Sequence, residues 1–297
     1  MSSPVLFITF NRPEQTLRVL KKIAEYSPKK IYISSDGPRK ERNNEKEIVN
    51  DLRMKIKNNI NWNCEVFYLF NKNNLGCKKA VSSAIDWFFN NEESGIILED
   101  DCLPSKSFFK FCELMLVKYK NDTRIFHIDG TNFCESSSHY MYEFSKYALI
   151  WGWASWKRAW LKYDLTMNDF PEFKRKNSLN VVFNKKIELK YWYKMLSNAY
   201  ENKIDTWDYQ WFYTIWKNGG LTIRPHINLI KNIGFDENAT HTKISNKVFN
   251  KMKALELNFS LPEPKFIIQN KILDEKTSKI RFNLGKSVIK RFIEKFF

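Results

Sequence analysis

Short apolar runs alternate with longer amphipathic segments along the first half of the chain. The apolar runs have the length of buried strands, and the segments between them repeat their apolar residues at helical spacing. The pattern predicts strands at residues 5–10, 30–34, 65–70, 95–98 and 124–128. It predicts helices between them, one beginning at Pro13 and the others at residues 41–57, 75–89 and 106–119. Strands that alternate with helices of this length indicate parallel βαβ units and a doubly wound α/β sheet.

The second half of the chain is rich in Trp and Tyr and alternates less clearly between strand and helix patterns. Trp153, Trp156 and Trp160 are spaced three and four residues apart, which predicts that they share one face of a helix. Most of these rings are expected to pack in an aromatic core, whereas a ring that lines a cleft would offer a platform on which a sugar stacks.

The chain becomes strongly basic from about residue 265 onward. In this tail, apolar residues share one predicted helix face and basic residues occupy the other: Val288, Ile289, Phe292, Ile293 and Phe296 against Lys286, Lys290, Arg291 and Lys295. Such a basic amphipathic C-terminal helix is typical of segments that lie on an anionic membrane surface. Docking of the same apolar face on the body of the protein is the alternative.

At 297 residues the chain is long enough for one large α/β domain or two smaller ones. Its net charge of +16 favours anionic partners, although the Lys- and Asn-rich composition of an AT-rich genome would produce the same charge. The five cysteines form no Cys-x-x-Cys pair and therefore indicate a reducing compartment. With no signal pattern and no apolar run long enough to span a bilayer, we expect a soluble, cytoplasmic body.

Three consecutive carboxylates, Glu99, Asp100 and Asp101, follow the apolar strand that begins near Gly95. Three anions at one strand end repel each other unless a cation or a network of donors compensates them. Open α/β sheets bind ligands beyond the carboxyl ends of their strands, where a divalent ion that carries a diphosphate would satisfy this charge. The alternative is a solvated acidic turn that also caps the next helix.

With the acidic triplet placed at a strand end, the chain resembles the GT-A glycosyltransferases. It is most similar to the β-1,2-N-acetylglucosaminyltransferase I group and related bacterial sugar transferases. Four blocks in order carry the likeness: Pro4–Arg12 (PVLFITFNR), Ser34–Gly37 (SSDG), Glu99–Asp101 (EDD) and Thr206–Trp211 (TWDYQW), the last followed by Ile223-Arg224-Pro225, Asn232-Ile233-Gly234 and His241.

The resemblance covers most of residues 4–245 by sparse motifs. It implies a GT-A type, Rossmann-like, doubly wound mixed sheet over residues 1–264. Within it, residues 1–105 would be the nucleotide-sugar-binding half and residues 106–264 an aromatic-rich acceptor-side half. Residues 265–297 would then form the basic amphipathic tail.

The resemblance also implies roles for the donor half. Arg12 would lie near the donor nucleotide and its phosphates, and Asp36 would contact the nucleobase. Glu99 and Asp100 would lie near the ribose, the sugar and metal-bound waters. The family's histidine near the donor is replaced in this chain, so the phosphate or ribose contacts fall to Lys78 and Lys79. Asp36 precedes Gly37-Pro38, and an Asx-turn is the alternative interpretation of that residue.

The expected cofactor is Mn²⁺ or Mg²⁺. By the resemblance, Asp101 is the residue that holds the ion against the donor diphosphate. His241 is a second candidate ligand, because a late histidine contacts the metal or the diphosphate in many GT-A enzymes. A lone histidine in a polar loop is otherwise usually exposed to solvent, and this alternative stays open.

On the acceptor side, the residue that matches the family's general base is Asp208. A helix cap is the alternative role for this residue, because Asp is favoured at helix N-termini. The family often has a second acid where this chain has Tyr209. The segment 148–160 occupies the place of the family's Gly-Trp acceptor-side segment, and Trp153 and Trp207 are the predicted acceptor-binding residues.

These assignments predict an inverting, metal-dependent transfer of sugar from a nucleotide-diphosphate donor, with UDP favoured by resemblance. The acceptor would be a glycan or a lipid-linked sugar at the inner leaflet, in bacterial surface polysaccharide synthesis. A nucleotidyltransferase that acts on a sugar phosphate is an alternative, but the segment around Phe10–Pro13 is not the glycine-rich phosphate loop expected of one. A nucleic-acid-binding protein is a third class, disfavoured by scattered basic residues and the acidic triplet.

Overall fold

The computed structural model describes residues 2–134, 138–234, 249 and 252–285. Its strands are β1 (Val5–Thr9), β2 (Lys30–Ser35), β3 (Glu65–Phe70), β4 (Ser94–Glu99), β5 (Cys102–Pro104), β6 (Ile125–Asp129), β7 (Tyr142–Ser145), β8 (Trp153–Trp156), β9 (Leu221–Pro225) and β10 (Ile230–Asn232). Its helices are α1 (Pro13–Tyr26), α2 (Glu45–Asn59), α3 (Gly76–Asn91), α4 (Lys106–Lys118), α5 (Lys157–Trp160), α6 (Phe170–Arg175), α7 (Lys186–Tyr200), α8 (Asp208–Lys217) and α9 (Lys271–Arg281).

The main sheet has eight strands in the order β3-β2-β1-β4-β8-β6-β9-β7. Strands β3, β2, β1 and β4 are parallel, and β6 and β9 are parallel to each other. Strand β8 is antiparallel to both of its neighbours, and β7 is antiparallel to β9. A separate two-stranded antiparallel sheet pairs β5 with β10. The sheet is therefore mixed, as predicted.

Successive residues of the central strands point to opposite faces of the sheet, and each face is covered by helices. Val5 and Phe7 of β1 pack in a core that includes apolar residues of α1, α2 and α4. Leu6 and Ile8 of the same strand pack in a second core that includes residues of α3, α7 and α8. Strands buried on both faces explain the continuous apolar runs in the sequence. The doubly wound, Rossmann-like α/β class is confirmed.

In the first half, the predicted strands and helices all form, with ends shifted by a few residues. The largest difference is at α2, which begins at Glu45 rather than at residue 41. Asn44 precedes it with a φ of 63°, and this left-handed conformation cannot continue a helix in the N-terminal direction. The first half is thus organised as the periodicity predicts.

The helix predicted from Trp153, Trp156 and Trp160 is wrong. Trp153 and Trp156 lie at the two ends of β8, which inserts antiparallel between β4 and β6. Only Trp160 is helical, in the short helix α5. All three rings are buried, so their spacing reflects a fully enclosed strand followed by a helical turn, and not one helix face.

A buried polar network joins β6, β9 and α8. The carboxylate of Asp129 accepts a hydrogen bond from Arg224 Nε at 2.9 Å and lies 3.0 Å from His127 Nε2. His127 Nδ1 accepts a hydrogen bond from Trp211 Nε1 at 3.1 Å, so its other nitrogen carries the proton. Asp129, His127 and Arg224 are fully buried. The network therefore fixes the start of α8 against the sheet.

Part of the predicted basic tail packs against the body. Helix α9 buries Leu273 and Thr277, and the carboxylate of Asp274 accepts a hydrogen bond from Ser145 Oγ at 2.5 Å. The predicted amphipathic helix over residues 286–297 lies outside the described residues. None of the helices that the structure describes has the length and hydropathy needed to cross a bilayer.

Candidate functional site

The acidic triplet lies where β4 ends, at the carboxyl edge of the parallel strands. Asp101 Oδ2 accepts a hydrogen bond from Arg12 Nη1 at 2.9 Å, and Asp100 Oδ1 lies 3.5 Å from the same nitrogen. The other oxygen of Asp100 accepts a hydrogen bond from the backbone N–H of Phe10 at 3.2 Å. The segment after β1 and the triplet after β4 thus meet, as their parallel pairing requires.

One arginine does not compensate the charge of this cluster. Burial, followed by the charges of Asp101 and Asp100, raises the pKa of Glu99 to about 8. Burial, followed by the charge of Asp101, raises the pKa of Asp100 to about 7, although Arg12 acts in the opposite direction. Such shifts mean that the ionised forms lack enough positive charge around them. A bound cation would supply it.

The loop after β10 packs closely against Asp101. The backbone N–H of Ile233 donates to the carbonyl of Asp101 at 2.8 Å. A Cβ atom at Gly234 would lie 2.4 Å from Asp101 Oδ2, so only glycine allows this approach. The candidate ligand His241 lies outside the described residues, seven positions beyond Gly234.

The residues present fit a divalent ion. Within the described ranges, no three His, Cys, Asp or Glu side chains already converge as a ligand set. The donors at this strand end are nevertheless hard carboxylate oxygens of the kind that Mn²⁺ and Mg²⁺ prefer. The Asp101 side chain is 19% exposed and that of Asp100 is 9% exposed, so Asp101 is the more accessible ligand.

Asp36 follows β2 and organises the neighbouring loop. Its carboxylate accepts hydrogen bonds from the backbone of Gly37 and Leu75 and from the side chains of Asn71 and Asn74, at 2.8–3.1 Å. These contacts are not an Asx-turn, because the residue two positions on is Pro38, which has no N–H to donate. The nucleobase contact stays a prediction. No sequence signal marks Asn71 and Asn74, since asparagines in a loop have no distinctive spacing.

The start of α3 is capped by Asp205, a residue distant in the sequence. The backbone N–H groups of Cys77 and Lys78 each donate to the carboxylate of Asp205 at 3.0 Å. The ammonium of Lys78 donates to Asn202 Oδ1 at 2.8 Å, and Lys79 is exposed. Asp205 therefore occupies the N-terminal amides that a phosphate would otherwise use. The predicted donor contacts of Lys78 and Lys79 stay predictions.

Asp208 is the first residue of α8 and not its N-cap, which is Trp207, and α8 has no side-chain cap hydrogen bond. Asp208 Oδ1 accepts hydrogen bonds from the hydroxyl of Thr206 and, at 3.0 Å, from the backbone N–H of Tyr209. The charge of Asp208 also contributes to the raised pKa of Glu99. The carboxylate therefore lies within electrostatic reach of the acidic triplet, in a residue that is only half-buried.

The two predicted acceptor-binding tryptophans lie in the core. Trp153 is 1% exposed and stacks on His127, with ring centroids 4.8 Å apart. Trp207 is 2% exposed and stacks on Trp153, with centroids 5.7 Å apart. These rings favour the packed-core alternative, because neither offers a free face to a sugar.

A different aromatic pocket opens beside Asp208. Its walls include Trp151, Tyr191, Tyr209 and Arg281, together with Phe133 and residues 148–150. Sequence reasoning selected the segment around Trp151 but missed most of the other wall residues, since they come from α7, α8 and α9. Only the tertiary packing of these helices brings them together.

Comparisons with known proteins assign no family to this chain. No family model matches it, and no curated protein does. Among solved structures, HddC from Yersinia pseudotuberculosis is 10% identical, covering 58% of this chain and 86% of its own, with a TM-score of 0.35. A 4-diphosphocytidyl-2C-methyl-D-erythritol synthase from Anaerococcus prevotii is also 10% identical, covering 59% of this chain and 84% of its own, with a TM-score of 0.32.

A structure of the galactosyltransferase LgtC in complex with donor and acceptor sugar analogues is 9% identical, covering 98% of this chain and 99% of its own, with a TM-score of 0.40. Likenesses at this level assign no activity, so the function rests on the site itself.

Proposed function

We propose that this chain is an inverting, metal-dependent glycosyltransferase that uses a nucleotide-diphosphate sugar, with UDP favoured. The observation that carries the proposal is the undercompensated carboxylate cluster at the end of β4, with Asp208 in electrostatic reach and a pocket beside it. An acid cluster at the carboxyl edge of parallel strands is where an α/β sheet binds a nucleotide and its metal. A carboxylate across from it can serve as a base.

The donor half supplies charge and orientation. Asp101 would hold Mn²⁺ or Mg²⁺, with Glu99, Asp100 and His241 in supporting roles. When bound, the ion acts as a Lewis acid that neutralises the diphosphate leaving group. Arg12 forms a salt bridge with Asp101 at 2.9 Å, and a guanidinium at this place can also pair with a phosphate oxygen. Asp36, Lys78 and Lys79 would contact the nucleotide.

Asp208 would take the proton from the acceptor hydroxyl. An alcohol is a poor nucleophile, so a carboxylate within hydrogen-bond distance assists its attack on the anomeric carbon. Attack from the face opposite the diphosphate is a single displacement with inversion. Thr206 and the N–H of Tyr209 bind one oxygen of Asp208, which leaves the other oxygen for the acceptor.

The test is a thermal-shift screen of UDP, GDP, CMP and dTDP sugars, each with and without Mn²⁺. A ligand at a hundred times its dissociation constant should add about 2.7 kcal/mol of stability. We expect stabilisation by one nucleotide only when Mn²⁺ is present. Asp51→Asn is a suitable control, since Asp51 forms an exposed pair with Lys55 on α2. Nucleotide binding that is indifferent to Mn²⁺ would contradict the proposal.

Product analysis separates sugar transfer from the nucleotidyl alternative. A glycosyltransferase releases the nucleoside diphosphate from the donor, whereas a nucleotidyltransferase joins a nucleotide to a sugar phosphate and releases pyrophosphate. Incubating the stabilising nucleotide sugar with candidate acceptors and identifying the released nucleotide therefore decides between the two reactions.

We further propose that the enzyme works on a glycan or lipid-linked acceptor at the inner leaflet of a bacterial membrane, in surface polysaccharide synthesis. Three apolar side chains before and within α9 support a membrane contact: Phe266, Ile268 and Ile272 are 72%, 69% and 67% exposed. Lys265 and Lys271 flank them, as suits anionic headgroups. Flotation with phosphatidylglycerol vesicles but not with phosphatidylcholine vesicles is the expected result, and equal flotation with both would contradict it.

A further inference from the structure

Arg281, the last residue of α9, contributes a positive charge to the pocket that Asp208 lines. Its guanidinium carbon lies 5.6–5.8 Å from the centroids of four aromatic rings, which belong to Phe133, Trp151, Phe249 and Phe282. Ring faces attract a cation but cannot neutralise it. The four rings therefore position the guanidinium but leave its positive charge without a neutralising partner among them.

Arg224 provides a comparison, because its positive charge has a carboxylate partner within the protein. Arg224 is fully buried, and its nitrogens donate to Asp129, to Thr277 Oγ1 and to the carbonyl of Tyr147. Arg281 forms no salt bridge with any side chain in the part of the chain that the structure describes. Arg281 is half-buried and lines the pocket, so its guanidinium is placed to pair with an anionic group of a ligand that enters it.

The other polar groups of the pocket suit a sugar. Tyr191 and Tyr209 both line the pocket, and the positive charge of Arg281 acts on both hydroxyls. Trp151 is half-buried and lines the same pocket. One carboxylate, one guanidinium, two phenols and an indole therefore converge on the same space.

We propose that the acceptor is an acidic sugar, whose carboxylate or phosphate group pairs with Arg281 while a neighbouring hydroxyl faces Asp208. This inference rests on the proposed function for the role of Asp208, and it specifies the acceptor class. Guanidinium binds both oxyanions in a two-pronged geometry, which orients the sugar as well as attracting it. The ring that carries the anion would then present one hydroxyl reproducibly to the base.

The test is a tryptophan-fluorescence titration with three probes, D-glucuronate, D-glucose 6-phosphate and D-glucose, in the absence of nucleotide and metal. We expect saturable binding of at least one acidic probe, at least about tenfold tighter than that of glucose. The two acidic probes separate a carboxylate from a phosphate as the preferred group. Equal affinity for all three probes would overturn the inference.

Substitutions then assign the binding to Arg281. Arg281→Met should weaken the acidic probe by about tenfold or more and leave glucose unchanged. Arg281→Lys keeps the charge without the two-pronged geometry, so it should retain part of the preference and also guards against a variant that fails to fold. Lys279→Met removes an exposed positive charge from the same helix and should have no effect. Unchanged selectivity in both folded Arg281 variants would overturn the assignment.

Because these titrations need neither nucleotide nor metal, their failure is distinguishable from failure of the proposed function. If acidic sugars bind through Arg281 but nucleotide binding does not depend on Mn²⁺, only the proposed glycosyltransferase function is contradicted. If nucleotide binding depends on Mn²⁺ but acidic sugars do not bind through Arg281, only the inference about the acceptor is contradicted.

Discussion

Asp100 and Asp129 are both buried aspartates at the ends of sheet strands, but their surroundings differ. Asp129, at the end of β6, has a buried arginine, a histidine and the backbone N–H of Leu149 as partners. Asp100, just after β4, shares one arginine with Asp101, accepts one backbone N–H bond from Phe10, and has a pKa raised to about 7. A carboxylate with complete protein partners is part of the scaffold, whereas one that lacks them marks a place where a ligand brings charge.

The largest expected effect comes from Asp208, which lines the aromatic pocket and lies within electrostatic reach of Glu99. Asp208→Asn should lower kcat by roughly 10²–10⁴-fold, because general-base assistance is lost while the side chain keeps its size. Donor binding, measured by the Mn²⁺-dependent thermal shift, should stay as in the wild type. Full turnover in the purified variant would show that Asp208 is not the general base.

A substitution of Asp129 tests whether its buried partners stabilise the fold. Asp129→Asn should lower the free energy of unfolding by about 3–5 kcal/mol, since it leaves the charge of Arg224 buried without its partner. Chemical denaturation measures the change. The control is Glu14→Gln, which removes the exposed pair of Glu14 with Arg18 and should cost at most about 1 kcal/mol. Similar small losses in both variants would show that the buried network is dispensable.

A substitution of Asp101 tests whether the acidic triplet binds a metal ion. Asp101→Asn should abolish the Mn²⁺-dependent part of nucleotide stabilisation, about 2.7 kcal/mol at a hundred times the dissociation constant. The folded protein itself should be no less stable without ligand, because the substitution relieves repulsion in the triplet. Calorimetry with and without Mn²⁺ measures both quantities. Undiminished Mn²⁺-linked binding in Asp101→Asn would remove this residue from the metal site.

The pH dependence should give the smallest effect. The pKa values of Glu99 and Asp100 are raised in the folded protein, so the unfolded chain loses these protons at lower pH. Without a cation, stability should therefore fall as pH rises from about 4 to about 8. Mn²⁺ competes with the same protons, so its affinity should rise by up to about tenfold per pH unit below pH 7. A pH-independent Mn²⁺ affinity would contradict the raised pKa values.

The donor half could be predicted from sequence because its signals are local. Each apolar run and each amphipathic segment reports its own strand or helix, and parallel pairing then brings Arg12 to the acidic triplet. The acceptor half depends on contacts between distant segments. Strand β8 carries no local mark of its antiparallel insertion, and the tryptophan spacing in it imitates a helix.

The site was predictable only where chemistry is concentrated in a short stretch. Three adjacent acids are visible in a sequence, and Asp208 is predicted through its neighbours in a motif, while its role stays a prediction. The local sequence gives no sign of a role for three other residues, because each stands alone in its own segment: Arg281, Tyr191 and Asp205. Burial, too, is a tertiary property, which is why Trp153 and Trp207 were assigned to the acceptor and Trp151 was not.

The contact between Asp205 and the first turn of α3 has a consequence for engineering. Asp205 lies three residues before Asp208, and its two bonds to the amides of Cys77 and Lys78 join segments that are far apart in the sequence. A chimera that replaces the chain after residue 105 would lose these bonds unless an acid is kept at position 205. The first turn of α3 would then need another acceptor for its two amides.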